Sequence, residues 1–210
     1  ASDVYKRQAQ HIGFGGSSRN GGFISESLTH GLAHGLALWP DEMQTLLELG
    51  RQNFVEIQEF VRAEGGDAEL VACGKTAVAT RAHEVEALRQ AHELHLQWGE
   101  DSTFLDAEAV QADIHSPTFL AGMRLRTGSG LVNPAKLVNV LTKAALARGV
   151  QIYTDSPVTK LHDKADGVLL RTANGQLTAS HAVLATNAFS PLKKSIEYRV
   201  MPIFDHVLAT

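Results

Sequence analysis

Apolar residues recur along much of the chain at intervals of three and four, which is the spacing of one face of a helix. This pattern predicts a long helix that follows Asp41 and ends before residues 64–67, and three further helices at residues 82–98, 106–112 and 133–148. Short apolar runs between turn-forming residues predict strands. The predicted strands are residues 69–72, 76–80, 119–126, 150–153, 158–161, 168–172, 176–178 and 181–186.

Capping and turn residues support several of these elements. Asn133 stands where a helix N-cap is expected, and Pro134 occupies the first turn, where no backbone N–H is needed. The pair Asn174-Gly175 is typical of a tight hairpin turn. The run at residues 181–186 is apolar, which predicts a buried strand. Helices, strands and a hairpin in this order indicate a mixed fold, α/β or α+β.

Composition narrows the class of protein. Of the 210 residues, 44% are hydrophobic and 20% are charged, which is ordinary for a globular domain. A net charge of −4 without a basic block argues against a nucleic-acid partner. No apolar run approaches the roughly 18 residues of a membrane span, and no signal-peptide pattern is present. The single Cys73 predicts a reducing, cytoplasmic compartment and is expected to be a small buried side chain.

Residues 13–22 carry the strongest chemical signal. Five of these ten residues are glycine, and Ser17, Ser18, Arg19 and Asn20 stand among them. Glycine lets successive backbone N–H groups turn toward an anion, and arginine adds a permanent positive charge. The segment therefore predicts a phosphate site, and in particular a site for the diphosphate of a nucleotide cofactor. A flexible surface loop is the alternative interpretation.

The same residues fit a dinucleotide-binding pattern, Gly-x-Gly-x-x-Gly, only loosely. Ser18 stands at the third glycine position, and no apolar strand precedes Gly13. An NAD(P)-dependent enzyme with a Rossmann fold is therefore a second interpretation. It requires an apolar strand before Gly13 in the intact gene and an acidic residue about 20 positions after the loop.

The run Gly16-Ser17-Ser18-Arg19-Asn20-Gly21-Gly22 resembles the second cofactor-binding segment of the FAD-dependent amine and amino-acid oxidoreductases, the D-amino-acid-oxidase-like superfamily. It is most similar to the γ-glutamylputrescine-oxidase-like branch, with Ser18 in place of the usual glycine. The resemblance implies FAD as the cofactor. It also implies a FAD/NAD(P)-binding Rossmann-like core, incomplete here, with an inserted antiparallel-sheet substrate domain.

The resemblance further implies which residues hold FAD. It places a backbone contact to the adenine at Val158. It makes residues 182–186 similar to a flavoprotein Ala-Thr-Gly segment in which Asn187 replaces the glycine, and asparagine tolerates the left-handed turn better than other residues. No catalytic residue is assigned. The implied cofactor-binding residues are Gly16, Ser17, Ser18, Arg19, Asn20, Gly21, Gly22, Val158, Ala185, Thr186 and Asn187.

The resemblance also divides the chain between two domains. Residues 9–66 and 128–195 are expected in the FAD-binding domain, and residues 67–127 and 196–210, which end in a strand-like run, in the substrate or cap domain. Residues 1–8 show no periodicity that joins them to the rest of the chain, and we expect them to be a non-native remnant. In the family the dinucleotide fingerprint and the ribose-binding acid precede the glycine-rich run. The chain is therefore expected to be a fragment that by itself binds FAD poorly and is inactive.

The implied activity is oxidation of the C–N bond of a small amine or amino acid by hydride transfer to flavin. The imine is then hydrolysed, and oxygen or another acceptor reoxidises the flavin. A non-catalytic protein that retains the fold is the remaining alternative. His30 and His34 have a metal-ligand spacing but no accompanying carboxylate signature, so no metal site is predicted. Arg124 and Arg126 are candidates for contact with a substrate carboxylate or for a solvated strand face.

Overall fold

The computed structural model describes residues 4–187, 192–201 and 203. The chain divides into two compact units, and we call Ala1–Ser17 with Thr142–Thr210 unit 1 and Ser18–Leu141 unit 2. The helices are α1 (Leu32–Leu38), α2 (Met43–Ala63), α3 (Ala82–Gln97), α4 (Ala107–Asp113), α5 (Pro134–Ala147) and α6 (Lys194–Glu197). The strands are β1 (Tyr5–Arg7), β2 (Phe23–Ser25), β3 (Lys75–Ala79), β4 (Ser102–Leu105), β5 (Ala121–Leu125), β6 (Ser129–Leu131), β7 (Gln151–Tyr153), β8 (Lys160–Lys164), β9 (Gly167–Thr172) and β10 (Gly175–Ala179).

Unit 2 contains two small antiparallel sheets. Strands β3 and β4 both pair with β5, which gives a three-stranded sheet of order β3-β5-β4. Helix α3 contacts all three of these strands, and α4 contacts β4 and β5. Strand β2, which begins one residue after Gly22, pairs with β6. Helices packed on an antiparallel sheet confirm the predicted mixed fold.

Helix α2 is the longest element, and it buries one face. It begins at Met43, so its first helical residue is one position later than the sequence predicts. In its first half it packs in a core cluster with Leu32, and near its end Val61 packs with Ala68 and Val132 in a second cluster. The buried residues follow the three- and four-residue spacing of a helix face. They are Met43, Leu47, Gly50, Phe54 and Val61.

Two side-chain caps begin helices where the sequence places them. Asp106 Oδ1 accepts a hydrogen bond from Ala109 N at 2.9 Å at the start of α4. Asn133 Oδ1 accepts one from Lys136 N at 3.2 Å at the start of α5. Each cap satisfies one of the backbone N–H groups that a helix leaves without an internal partner. The predicted N-cap at Asn133 is therefore confirmed.

Unit 1 contains a parallel pair of strands that sequence periodicity did not indicate. Strand β1 runs parallel to β7, with residues 5–7 opposite residues 151–153. Gln8 N donates to Tyr153 O at 2.9 Å and extends the pairing by one residue. This differs from the expectation that residues 1–8 carry no element joined to the rest of the chain. Three residues are too few to display an alternating pattern, so pairing alone reveals the strand.

Unit 1 also contains the predicted meander, in the order β10-β9-β8. All its neighbouring strands are antiparallel, and the hairpin between β9 and β10 is confirmed. Gly175 pairs with Thr172, so the hairpin loop consists of Ala173 and Asn174. The loop therefore lies one residue earlier than the predicted Asn174-Gly175 turn.

Two predicted strands are wrong. Residues 69–72 contain only an isolated bridge from Val71 to Leu131. Residues 181–186 form no strand and are largely exposed, with 90% of Val183 accessible to solvent. An apolar run becomes a strand only where a neighbour satisfies its backbone groups, and no described strand pairs with residues 181–186.

Cys73 is exposed rather than buried, which corrects the expectation of a small buried side chain. The predicted strand-like run at residues 199–210 falls outside the described residues except at 199–201 and 203. Across the described part of the chain, none of the helices combines the length and the apolar character needed to cross a membrane.

A charged cluster ties the start of α5 to the segment after α2. Lys136 Nζ lies 2.7 Å from Asp67 Oδ2 and 2.5 Å from Glu69 Oε1. Asn133 Nδ2 donates to Glu69 Oε2 at 2.9 Å. Hydrogen bonds from Lys136 hold the pKa of Asp67 and the pKa of Glu69 below their ordinary values of 3.8 and 4.5. Both carboxylates therefore favour the folded state when they are ionised.

We expect Lys136→Met to lower the urea midpoint of unfolding slightly at neutral pH, and by less in acid. A carboxyl group whose pKa is lowered by folding stabilises the folded state above its ordinary pKa, and this contribution is lost as the pH falls through the folded-state value. The difference from wild type should thus be full above about pH 5 and shrink toward about pH 3. It should be small because these side chains lie at the surface.

Urea titrations followed by circular dichroism across this pH range measure the difference. Lys143→Met is the matched control, since Lys143 is on the same helix but belongs to neither ion pair of Lys136. It should shift the midpoint little at any pH. A Lys136→Met difference that does not change with pH would show that the carboxylates of Asp67 and Glu69 contribute nothing through their charge.

Candidate cofactor site

Residues 13–22 form a succession of turns and bends, not a helix or a strand. Asn20 Oδ1 accepts a hydrogen bond from Gly22 N at 2.9 Å, an asparagine turn that closes the end of the segment. Gly22 is buried and Ser18 is partly buried. The rest of the predicted run is exposed to solvent. Its exposed members are Gly16, Ser17, Arg19, Asn20 and Gly21.

Gly22, at the end of this segment, is hydrogen-bonded to Val132, the residue before the N-cap of α5. Val132 N donates to Gly22 O at 2.8 Å. Gly22 has a φ of 72°, and a Cβ at this position would lie 2.3 Å from Val132 O. Only glycine combines this left-handed backbone with so close an approach. The last residue of the glycine-rich segment is therefore fixed by unit 2.

Two segments that the resemblance assigns to FAD meet within unit 1. A Cβ placed on Gly16 would lie 3.1 Å from the side-chain nitrogen Nδ2 of Asn187, so the amide of Asn187 lies against the glycine. Asn187 has a φ of 53°, the left-handed conformation that the sequence predicts for it. Both residues are exposed. The structure thus brings two predicted site residues, far apart in sequence, to one surface.

Val158 lines a cavity of about 250 Å³ in unit 1. Arg7 also lines it and places its guanidinium 4.0 Å from the centre of the Tyr153 ring. Arg7 Nε is buried and, among the described residues, has no hydrogen-bond partner. Neither Gly16 nor Asn187 belongs to this lining. The polar side chains around Val158 are those of Arg7, Ser156, Thr172, Asn174 and Gln176.

Ala185 and Thr186 precede the Asn187 turn, but they do not lie in a strand. Both residues are exposed. The left-handed turn expected of a flavoprotein Ala-Thr-Gly segment is therefore present at Asn187, but the strand that the sequence predicts before it is not. No described strand pairs with Ala185 or Thr186.

Glu26 and Gly128, which the sequence does not single out as site residues, lie side by side in unit 2. Glu26 N donates to Gly128 O at 2.9 Å, and a Cβ at Gly128 would lie 2.3 Å from the Glu26 carboxyl carbon. Burial raises the pKa of Glu26, and the charge of Glu100 raises it further against the opposing effect of Arg51. One signal in the sequence could have indicated Glu26. It is the only Asp, Glu, Lys or Arg residue between Arg19 and Asp41.

His30 and His34 lie together at the start of α1. Their ring centroids are 6.4 Å apart, and His34 Nδ1 is 2.7 Å from Thr29 O. His34 thus has a backbone partner. Within residues 4–187, 192–201 and 203, no group of three or more His, Cys, Asp or Glu side chains is placed to hold a metal ion.

Arg124 and Arg126 both face carboxylates of unit 2. Arg124 pairs with Asp113, and its Nε donates to Thr76 Oγ1 at 3.3 Å. Arg126 Nε lies 3.9 Å from Asp101 Oδ2, and over half of its side chain is exposed. Since the guanidinium of Arg124 already has a carboxylate partner, the structure favours a structural role for it over contact with a substrate.

A glycine-rich run of turns that is closed by an asparagine turn has the composition of an anion-binding loop. Residues 5–210 match the family described as FAD dependent oxidoreductase (DAO), and the chain belongs to this family. The predicted family and the predicted cofactor, FAD, are therefore confirmed.

Among the curated relatives, two match over all or nearly all of the chain. The probable oxidoreductase OrdL of Rhizobium meliloti is 28% identical over 226 residues, which cover 100% of this chain and 49% of that protein. The gamma-glutamylputrescine oxidoreductase of Escherichia coli is 27% identical over 219 residues, which cover 99% of this chain and 49% of that protein. The chain spans about half the length of the curated relatives it matches.

The fold is shared with solved structures. Glycine oxidase from Geobacillus kaustophilus superimposes with a TM-score of 0.75 at 21% identity, over 89% of this chain and 49% of that chain. At this identity the likeness concerns the fold, and it agrees with the predicted mixed α/β architecture.

Proposed function

We propose that the protein to which this chain belongs oxidises the C–N bond of a small amine or amino acid with FAD. Membership of the FAD dependent oxidoreductase family supports the redox chemistry. The names gamma-glutamylputrescine oxidoreductase and glycine oxidase, borne by a relative and a structural neighbour, denote nitrogen-bearing substrates. Within the chain, the observation that carries the proposal is the approach of Gly16 to Asn187, which joins two of the segments assigned to one cofactor.

The residues present fit a diphosphate. Gly16 leaves free the space beside Asn187 that a Cβ would fill, and the Asn20 turn orients the end of the segment. Arg19 adds a permanent positive charge, and the serine hydroxyls add donors. We assign to the cofactor site the residues Gly16, Ser17, Ser18, Arg19, Asn20, Gly21, Gly22, Val158, Ala185, Thr186 and Asn187.

When bound, FAD supplies the chemistry, because its flavin accepts a hydride from the carbon that bears the nitrogen. The residues of this chain bind and orient the cofactor. Arg19 would neutralise part of the diphosphate charge, and the hydrogen bond from Val132 N to Gly22 O keeps the end of the segment in place. An amine that arrives neutral needs no general base, and we assign none.

We also assign the domains and the compartment. Residues 9–66 and 128–195 contribute to the FAD-binding domain, and residues 67–127 and 196–210 contribute to the substrate or cap domain. The β3-β5-β4 sheet, which falls within residues 67–127, supports the second assignment. A single cysteine supports a cytoplasmic location.

Flavin content tests the proposed function directly. We expect the protein expressed from the whole coding region around this chain to be yellow, and its flavin absorbance to bleach when a primary amine or amino acid is added without oxygen. A colourless protein would contradict the proposal. Bleaching by hydroxy acids but not by any amine or amino acid would contradict the C–N assignment alone.

Arg19→Ala tests the cofactor assignment. We expect FAD binding by the same full-length protein to weaken about ten- to a hundredfold, because a charge-assisted contact to the diphosphate is lost. Fluorescence of the flavin during titration measures the affinity. Arg171→Ala is the matched control, since Arg171 is exposed on β9. Equal affinities of the two variants would remove Arg19 from the site.

A further inference from the structure

Unit 2 contains a cavity of about 500 Å³ that the proposed function does not use. We call it the α2 cavity, because helix α2 forms one wall with Arg51, Phe54 and Val55. Glu26, at the end of β2, and Leu125, at the end of β5, lie on the other walls. The cavity therefore combines an apolar surface with charged groups, which is the usual composition of a small-molecule site.

Three carboxylates and two guanidinium groups line the α2 cavity, and the charge of Lys75, which is outside the lining, also acts on Glu26. Arg51 Nη2 lies 3.8 Å from Glu100 Oε1, and Arg126 Nε lies 3.9 Å from Asp101 Oδ2. Each arginine thus has a carboxylate neighbour. Within the described part of the chain, the carboxylate of Glu26 makes neither a hydrogen bond nor an ion pair.

Glu26 is held at the cavity by its backbone. Its N–H donates to Gly128 O at 2.9 Å, and the absence of a side chain at Gly128 lets the carboxylate lie against the loop. Burial raises the pKa of Glu26, and Glu100 raises it further, against the opposing effects of Arg51 and Lys75. A partly buried carboxylate beside a second carboxylate is a group that a bound cation stabilises.

The apolar walls decide what kind of cation fits. A metal ion needs several closely placed ligands, and no such group exists among the described residues. An organic cation needs one carboxylate and an apolar surface for its carbon chain. We propose that the α2 cavity binds a primary alkylammonium ion, with the ammonium group on Glu26 and the alkyl chain along Phe54, Val55 and Leu125.

This site is separate from the proposed C–N oxidation and does not rest on it. Binding requires neither flavin nor turnover, so it can succeed or fail independently of the proposed activity. Strand β2 begins next to Gly22 and ends next to Glu26. An amine bound in the α2 cavity therefore lies one short strand away from the end of the glycine-rich segment.

Calorimetric titration of the 210-residue chain with hexylamine tests the proposal, and at neutral pH this amine is protonated. Hexanol and hexanoate are the matched neutral and anionic probes. We expect hexylamine to bind more tightly than either probe. Glu26→Gln should weaken hexylamine binding about ten- to a hundredfold. Glu59→Gln, which removes an exposed carboxylate from α2 outside the cavity, should leave binding unchanged.

A second variant keeps the test informative if Glu26→Gln folds poorly. Val55→Trp fills the cavity from a side chain that is 49% exposed, so the fold should tolerate it, and it should abolish hexylamine binding. Hexylamine binding that is insensitive to Val55→Trp would place the ligand elsewhere. Equal binding of hexanol, tighter binding of hexanoate, or full retention of hexylamine by a folded Glu26→Gln variant would each overturn the role of Glu26.

Discussion

Gly50→Ala is expected to destabilise unit 2, although alanine is the better helix former. In an exposed helix interior this change adds about 1 kcal/mol of stability. Gly50, however, is buried in the middle of α2, and a Cβ there would lie 1.9 Å from Glu26 O. That atom is a backbone carbonyl oxygen and cannot rotate away as the end of a side chain can. We expect a net loss of about 2–4 kcal/mol in the free energy of unfolding.

Urea unfolding followed by circular dichroism measures this loss. Gly175→Ala is the control, because no atom lies within 4 Å of its added Cβ, and it should not lower the midpoint. A Gly50→Ala midpoint equal to or above that of wild type would mean that helix propensity outweighs the contact with Glu26. In that case α2 would have to move away from the end of β2 at little cost.

The sequence predicted α2, α3, α4 and α5 but not the short helices α1 and α6. A longer helix that buries one face shows that face in the spacing of its apolar residues. The spacing of Met43, Leu47, Phe54 and Val61 shows which side of α2 faces the core before any neighbour is known. Caps are equally local, which is why Asn133 could be assigned from its position alone. Gly50 also belongs to this pattern, but its spacing does not disclose the carbonyl that it accommodates.

The strands were harder because a strand exists only with a partner. The apolar run at residues 181–186 has the composition of a buried strand, yet no described strand pairs with it. Strand β1 shows the opposite outcome. Residues 5–7 lack an apolar or alternating pattern, yet they form a strand because they pair with β7. Whether either segment forms a strand cannot be predicted from its own residues, because the strand that could pair with it is remote in sequence.

The candidate site residues also fall into those with a local sequence signal and those whose role depends on residues remote in sequence. The glycine-rich segment was recognisable because anion binding by backbone N–H groups needs a local run of glycine. The left-handed turn at Asn187 was also local. Glu26 was not recognisable as a site residue, because its importance comes from Gly128 and from a cavity wall supplied by α2.

Gly22→Ala is expected to destabilise the chain by about 3 kcal/mol, from two costs that can be measured separately. The first is the left-handed backbone, with a φ of 72°. The second is the 2.3 Å approach of the added Cβ to Val132 O, a backbone atom. Gly65→Ala isolates the first cost, because Gly65 has a φ of 61° and nothing lies within 4 Å of its added Cβ. That variant should lose about 1–2 kcal/mol.

Gly21→Ala isolates the effect of a side chain added next to Gly22. Its Cβ would lie 3.1 Å from the ring of Phe23, which is 82% exposed and can move aside, so little stability should be lost. Urea midpoints of the three variants should therefore fall in the order Gly21→Ala, Gly65→Ala, Gly22→Ala, with the last the least stable. If Gly22→Ala were no less stable than Gly65→Ala, the approach to Val132 would carry no energetic weight. The hydrogen bond from Val132 N to Gly22 O and the Asn20 turn would then fix the end of the glycine-rich segment without any energetic demand for glycine from the close approach.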